Sequence, residues 1–367
     1  MNKLKKIGLT ALGTTLVASS AFAGEISVSG DAGYTWSSES VGGAAATNAT
    51  GTATNDGIGY NHDITLSGSG ELDNGFTVST SMILVEDSSL SSSNVTLTMG
   101  GLGKLTVGNG TGGIGANFDN VLPTAYEEAH DGEKDSAAID NIGADHGNGG
   151  IDYTSPAFDL MGASITLMYN YVPEASATAV GEGGVSTGHA TWGSGSAIGA
   201  VVSYGGVTLG GYSSEKSADS GTADTQDRDA SDVTGYIKYT AGPFSIGYQE
   251  GYIEKGLKGS TEGDNASAKK VTTAVGAFDI EAIGVAFNVN ENFSISWQEV
   301  EETYDAQDDQ KDGSDTPDVT KESSSIQFAY TMGSMSIKGY QTDTDNPGWD
   351  SDAQSNEVTE LAINFAF

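Results

Sequence analysis

The stretch "ELAINFAF" (360–367) closes the chain, and its pattern decides the fold. Leu361, Ile363, Phe365 and Phe367 alternate with Glu360, Ala362, Asn364 and Ala366. A period of two sends successive side chains to opposite faces of a β-strand, so one face of this segment is wholly apolar. Soluble domains usually finish in a polar, frayed tail. This chain stops within its pattern, on an aromatic residue.

The same alternation recurs along the chain. In "EISVSGDAGYTW" (25–36), Ile26, Val28, Ala32, Tyr34 and Trp36 share one face, while Glu25, Ser27, Ser29, Asp31 and Thr35 share the other. "HDITLSGSGEL", "GFTVSTSM", "NVTLTM", "KLTV", "ASITLMYNY", "GYIKYT", "PFSIGYQ", "IGVAFNV", "NFSISW", "SIQFAY" and "SMSIKGY" read alike. Helical spacing fits none of them well. The pattern predicts about sixteen strands of roughly 8–14 residues.

The connections alternate long and short. Long acidic loops are expected near 38–57, 87–93, 110–148, 173–194, 215–231, 255–269, 305–321 and 344–356. Tight turns such as "LDNG" (72–75), "YGGV" (204–207) and "MGSM" (332–335) separate them, with a slightly longer "SPAFDLMG" at 155–162. That order describes an antiparallel up-and-down meander with its long loops at one end. So many strands do not stay flat and open, and closure removes the edges. The face rich in Ser, Thr, Asn, Gly and Asp would fill no dry core, whereas the other carries Ile, Val, Leu and aromatics. Polar inside and apolar outside is the pattern of a transmembrane β-barrel. Tyr34, Trp36, Tyr60, Tyr169, Tyr171, Tyr204, Tyr239, Phe244, Phe287, Phe293 and Trp297 suit interfacial girdles. The final strand is then expected to pair with the first.

The N-terminus adds the compartment. Residues 1–23 carry three lysines, an apolar run from Ile7 to Val17 and the small-residue motif Ala21-Phe22-Ala23. They read as a cleaved secretory signal peptide, leaving a barrel domain at 24–367. The chain has no cysteine, which removes disulfides and thiolate metal sites. Its net charge of −35 excludes nucleic acid as a partner, since that needs a positive field. Loss of Lys3, Lys5 and Lys6 with the signal makes the remainder more acidic still.

With these features the sequence resembles the Gram-negative general-diffusion porins. The likeness rests on "EISVSGDAGYTW" directly after the signal, "LGKLTVGNG" before the longest loop, "NVLPTAYEEAHDG" inside it, "GIDYTSPAFDLMGASITLMYNY" after it, and the terminal "INFAF". The resemblance implies a homotrimer of sixteen-stranded barrels in the outer membrane, surrounded by lipid and lipopolysaccharide. It implies a third loop, about 110–148, folded into the lumen as a constriction. It also implies that Phe367 and Phe365 belong to the signal read by the outer-membrane assembly machinery. Porins of this kind oppose acidic loop residues with basic wall residues. The corresponding wall positions here are Asp31, Asp63, Asn109 and Thr154, and none is basic. Strand parity points Asp31, Asp63, Lys104, Lys238 and Lys338 inward. The loop offers Asp119, Glu127, Glu128, Asp131, Glu133 and Asp135. A negative eyelet follows, with the three lysines expected on strands distant from it.

Other motifs carry less. Gly108-Asn109-Gly110-Thr111-Gly112-Gly113 satisfies G-x-G-x-x-G, but no helix or βαβ context follows it. His130, beside Glu127 and Glu128, invites a metal or acid–base reading; a solvated loop histidine is the expectation. The stretches "ADTQDRDASD", "EVEETYDAQDDQKDGSD" and "TDTDNPGWDSDAQSNE" resemble calcium loops in composition only and are expected to be solvated. Divalent cations bridging them to lipopolysaccharide phosphates are a weaker alternative. The expected function is a passive, cation-preferring channel for small hydrophilic solutes and ions, with no enzymatic site and no cofactor. A substrate-specific channel would need a continuous aromatic path, and inward Tyr212, Tyr236 and Tyr340 are scattered. A secreted structural or adhesive protein would show calcium-binding repeats, and none is found.

Overall fold

The computed structural model describes residues 24, 26–41, 46–48, 51–53, 55–85, 89–109, 113–119, 121–132, 137–143, 149–175, 192–218, 229–256, 276–307 and 317–367. The signal-peptide reading for 1–23 lies outside them.

The first half of the sheet comprises β1 (Ile26–Val41), β4 (Asn55–Glu71), β5 (Thr77–Leu84), β6 (Leu90–Thr98), β7 (Lys104–Asn109), β8 (Ile151–Thr154), β9 (Phe158–Leu160) and β10 (Ala163–Val172). The second half comprises β11 (Trp192–Tyr204), β12 (Val207–Ala218), β13 (Ala230–Ala241), β14 (Phe244–Glu254), β15 (Ala277–Asn290), β16 (Phe293–Asp305), β17 (Val319–Met332), β18 (Met335–Asp345) and β19 (Asn356–Ala366). Two short strands, β2 (Ala46–Asn48) and β3 (Gly51–Ala53), pair only with each other. In the large sheet each strand pairs antiparallel with its sequence neighbours. Both β8 and β9 pair with β10, in succession along one stave, so the 17 strands make a closed barrel of sixteen staves. The break between them falls at Ser155-Pro156-Ala157, because proline cannot donate to the ladder.

Closure comes from β1 against β19, from Asp31↔Ala366 to Val41↔Asn356. Phe367 extends this ladder. Its N–H donates to the Gly30 carbonyl and its carbonyl accepts from the Gly30 N–H, both at 2.9 Å. The tight turns follow backbone sterics. Gly205 and Gly206 both have positive φ (57° and 88°), which the two-residue link between β11 and β12 requires.

The two faces differ as the alternation predicts. Ile198 is 61% exposed while its neighbour Ala197 is 2% exposed. Of the girdle aromatics, Tyr34, Trp36, Tyr60, Tyr169, Tyr171, Tyr204, Tyr239, Phe244, Phe287 and Trp297 are exposed, and Phe293 is half-buried. Two expectations are corrected. First, the polar face does hold an apolar cluster. Ile114, Phe118, Leu122, Ala138, Ile139 and Ile142 from the long connection pack against Tyr212, Ile253, Phe278, Ile280, Val300 and Tyr304 of the wall. These wall residues sit at polar-face parity but are apolar because the connection covers them. Second, the acidic stretches are not all loop. β16 runs on to Asp305, and β18 and β19 take in Asp343, Asp345 and Glu357. Their carboxylates alternate with buried Val300, Glu302 and Thr344, and the residues between satisfy ladder hydrogen bonds. The result is a row of like charges in register: Glu250↔Glu281, Glu281↔Glu301, Glu301↔Glu322 and Glu322↔Asp345.

Candidate functional site

The connection between β7 and β8 contains short 3-10 turns at 115–117, 129–132 and 139–141. Such irregular backbone leaves N–H and C=O groups that need partners. Long polar side chains of the wall supply them. Gln249 Nε2 donates to the Phe118 carbonyl (2.8 Å) and Gln298 Oε1 accepts from Ala129 N–H (2.8 Å). Ser296 Oγ accepts from Ala125 N–H (2.9 Å), Glu302 Oε1 from Ile139 N–H (2.8 Å) and Asp232 Oδ2 from Gly143 N–H (3.1 Å). Gln327 Oε1 accepts from both the Thr124 hydroxyl and the Tyr126 N–H. Each such bond contributes about 0.5–1.5 kcal/mol net, and leaving any partner unpaired in this dry interface costs more.

Phe118 anchors the front of the segment. Its ring lies 5.2 Å from that of Tyr212 and 6.3 Å from that of Tyr236. Its seat is Gly199, where a Cβ would come within 2.7 Å of the ring. Leu122 and Pro123 lie over Gly247 and Gly284 in the same way. The three polar-face tyrosines thus serve as supports: Tyr212 and Tyr236 under Phe118, Tyr340 beside Tyr126 at 5.8 Å.

Beyond Pro123 the segment borders a cavity of about 720 Å³. Its lining includes Asp31 and Asn61 from β1 and β4, Tyr126, Glu127 and Asp131 from the segment, and Lys338, Tyr340 and Glu360 from β18 and β19. The Tyr126 hydroxyl donates to Glu360 Oε1 at 2.8 Å. Four carboxylates therefore meet one amine here. Lys338 Nζ sits 5.0 Å from the centre of the Tyr126 ring. For Lys338 alone this corrects the expectation that the inward lysines lie away from the acidic residues: β18 neighbours β19, which closes on Asp31. Burial pushes the Glu127 carboxyl up to about 7, helped by Glu360 and Asp131 and opposed by the Tyr126 hydrogen bond and Lys338. Burial raises the Tyr126 phenol as well, with Glu127 and Glu360 adding to it.

The other sequence-predicted residues divide. Asp63 stands directly across from Asp31 in the β1–β4 register but is not among the cavity-lining residues. Lys104 pairs with Thr154 across β7 and β8. Lys238 faces Thr208 and Gly247 in the neighbouring strands. Asn109 is the last residue of β7, paired with Ser93. Glu133, Asp135 and residues 110–112 of the G-x-G-x-x-G stretch lie outside the described residues.

Asp119, Glu128 and Asp131 gather instead around His130. That histidine is 3% exposed, which overturns the solvated-loop expectation. Its neighbour Ala129 is fully buried and bonded to Gln298, so the turn carries the imidazole into the interface. His130 Nε2 lies 2.9 Å from Asp140 Oδ1, 3.4 Å from Glu128 Oε2 and 4.0 Å from Asp131 Oδ1. Burial opposes the imidazolium, yet the Asp140 hydrogen bond and charge, with Glu128 and Asp131, raise it to about 9. Burial raises Glu128 to about 8, against the pull of His130, and Asp119 to about 6, with Asp140 adding to it.

Sequence reasoning missed Glu360, Asp140, Glu302 and Lys321. Glu302 and Lys321 form a buried ion pair at 3.0 Å, with Lys321 Nζ 4.4 Å from the Trp349 ring centre. Glu360 carried a signal, since parity alone puts it on the polar face of β19. Glu302 and Lys321 carried the same signal on β16 and β17, and Asp140 had none short of its partners.

No protein-family model and no curated protein sequence matches the chain. Solved structures do. OmpF of Salmonella typhi in complex with daunomycin superposes with a TM-score of 0.64 at 11% identity, over 94% of this chain and 98% of that one. A porin refined at 1.8 Å gives 0.54 at 17% identity, over 94% and 100%. The outer-membrane channel DcaP of Acinetobacter baumannii gives 0.57 at 12%, over 94% and 98%. The fold is that of the porins. At these identities the likeness extends to the barrel and not to any particular side chain.

Proposed function

We propose that the protein is a passive channel of the Gram-negative outer membrane for small hydrophilic solutes and ions, with no catalytic role. One observation carries this reading: an anchored segment crosses the polar face and leaves a cavity in which Asp31, Glu127, Asp131 and Glu360 oppose Lys338. In a water-filled barrel that cavity is the constriction, and the segment 110–148 is the loop that narrows it. A low-dielectric wall around narrow water focuses the field of the carboxylates, so cations concentrate and anions are depleted. The exposed apolar belt and aromatic residues support insertion in lipid. A homotrimer, contact with lipopolysaccharide, a cleaved leader and recognition of the Phe365–Phe367 end by the assembly machinery complete the proposal.

The zero-current potential across a KCl gradient tests it. The wild type should prefer K⁺, and the preference should fade as salt shortens the Debye length from about 10 Å at 0.1 M to about 3 Å at 1 M. Asp31→Lys with Asp63→Arg should shift the potential towards Cl⁻. An anion-preferring wild type, or a double variant without a shift, rejects the selectivity assignment. Absence of conductance in a properly inserted barrel rejects the channel itself.

A further inference from the structure

His130, Glu128 and Asp140 have no part in the channel reading, Asp131 alone also borders its cavity, and the geometry of the cluster is that of a ligand set. Three carboxylate oxygens surround Nε2 at 2.9, 3.4 and 4.0 Å. Donor atoms bonded at about 2.0–2.2 Å to one tetrahedral ion lie about 3.3–3.6 Å apart, a value the three distances bracket. One ligand atom each from His130, Asp131 and Asp140 falls within 4.8 Å of the other two. The cluster is also incompletely satisfied. Glu128 is 5% exposed, its Oε2 accepts no hydrogen bond among the described residues, and that oxygen is one of the three around Nε2. The imidazole is 3% exposed; its Nε2 faces Asp140 Oδ1 at 2.9 Å, and its Nδ1 has no hydrogen-bond partner among the described residues. Buried polar atoms left in this condition are uncommon and costly. Asp131 is held in place by its other oxygen, Oδ2, which accepts from the Glu128 N–H at 3.0 Å. Its Oδ1 is left facing the cluster.

We propose that His130, Asp131 and Asp140 form a binding site for a divalent first-row transition metal, with Zn²⁺ the best match and the buried Glu128 carboxylate beside the imidazole. The donor set decides the class. Calcium and magnesium take oxygen ligands, whereas imidazole together with carboxylates suits zinc and its neighbours. The ion would cancel part of the local negative charge, including that of the neighbouring Glu128, and tie the turn at 129–132 to the turn at 139–141. Binding requires the imidazole nitrogen without its proton, so uptake of the metal releases a proton.

The test uses the full-length protein purified in detergent, treated with a chelator and titrated calorimetrically with Zn²⁺. We expect one ion per chain. His130→Gln and Asp140→Asn should each weaken binding by about 100-fold or more, because each removes a direct ligand where even outer partners are worth 10–100-fold. Glu301→Gln, on the exposed acidic row, should leave binding unchanged. X-ray absorption at the zinc edge should show one imidazole nitrogen among oxygens in the wild type, a readout that does not depend on how the variants fold. Absence of saturable binding overturns the proposal. So does full-strength binding in His130→Gln, or a zinc spectrum with oxygen ligands alone.

Discussion

Two sets of acidic residues lie on opposite faces of the same wall. One set, Glu128 and the half-buried Asp119 with His130, is tucked between the long connection and the polar face, with Asp131 and Asp140 exposed at its edge. The other, Glu250, Glu281, Glu301, Glu322 and Asp345, runs in register across β14 to β18 on the exposed face. Both crowd like charges. Their consequences differ because the Coulomb energy of a pair scales inversely with the dielectric around it. In the first set desolvation dominates, and Asp119 is pushed up to about 6 and Glu128 to about 8. In the exposed row water and salt screen the same repulsion. Crowding is tolerated outside because it costs little, and inside because protons, a counter-charge or an ion can be bound.

The sharpest way to break this contrast is to strip a buried charge of its partner. Lys321 and Glu302 are 1% and 0% exposed, 3.0 Å apart, and Glu302 also accepts from the Ile139 N–H. Lys321→Ala leaves that carboxylate buried without its cation. Removing one partner of such a pair costs about 3–5 kcal/mol. The loss should be seen in urea unfolding of the detergent-folded barrel, together with earlier proteolysis of the 114–142 segment. Phe118→Ala, which removes a fully buried ring from beside Tyr212 and Tyr236, belongs to the same range, about 3–5 kcal/mol for a phenylalanine truncation. Its effect should fall on the segment and spare the barrel. A stability change below about 1 kcal/mol in either variant would mean that the interface is wet.

The next effect is on pH. Glu128 rises from an ordinary 4.5 to about 8 and Asp119 from 3.8 to about 6 when the segment is docked; Glu127 rises from 4.5 to about 7. A docked carboxyl with a raised pKa holds a proton that the undocked, solvated form has released. Docking is therefore progressively weakened as pH climbs between the two values. His130 rises from 6.5 to about 9. Its favourable contribution is complete below 6.5 and is lost as pH passes through about 9. All four groups act in the same direction. In chelator-treated protein, amide exchange across 114–142, corrected for its intrinsic pH dependence, should show weaker protection at pH 9 than at pH 5. Equal protection would place these groups in water.

The barrel was legible because it depends on a local signal. Alternation in "ELAINFAF" and a dozen similar segments settles strand, face and order, and strand pairing between sequence neighbours does the rest. The acidic stretch from Glu299 to Asp305 reads as loop by composition, yet Val300 and Tyr304 alternate with outward Glu299, Glu301 and Thr303. Pattern was the better guide there. The site was only half legible. Asp31, Glu127 and Asp131 could be placed on a constriction by parity and resemblance, but Glu360 meets Tyr126 across 234 residues of chain. The burial of His130 depends on Gln298, 169 residues beyond Ala129. Contacts of that range leave no periodic trace.

The smallest effect tests the exposed row itself. Glu301 faces Glu281 on one side and Glu322 on the other. Like charges directly opposite in a sheet are destabilising, and cross-strand pairs of this kind are worth roughly 0.2–1 kcal/mol. Because the row is open to solvent, the lower end of that range applies. Glu301→Gln keeps the shape and hydrogen-bonding capacity of the side chain while removing the central charge. It should raise stability towards urea by a few tenths of a kcal/mol, about 0.3, at low ionic strength. The gain should vanish near 1 M salt, where the screening length of about 3 Å is shorter than the strand spacing. Glu128→Gln provides the counterpart on the buried side, where salt should change the outcome far less. A Glu301 gain that persists in high salt, or a Glu128 effect that disappears in it, would show that the two faces do not differ in solvent access as the burial pattern requires.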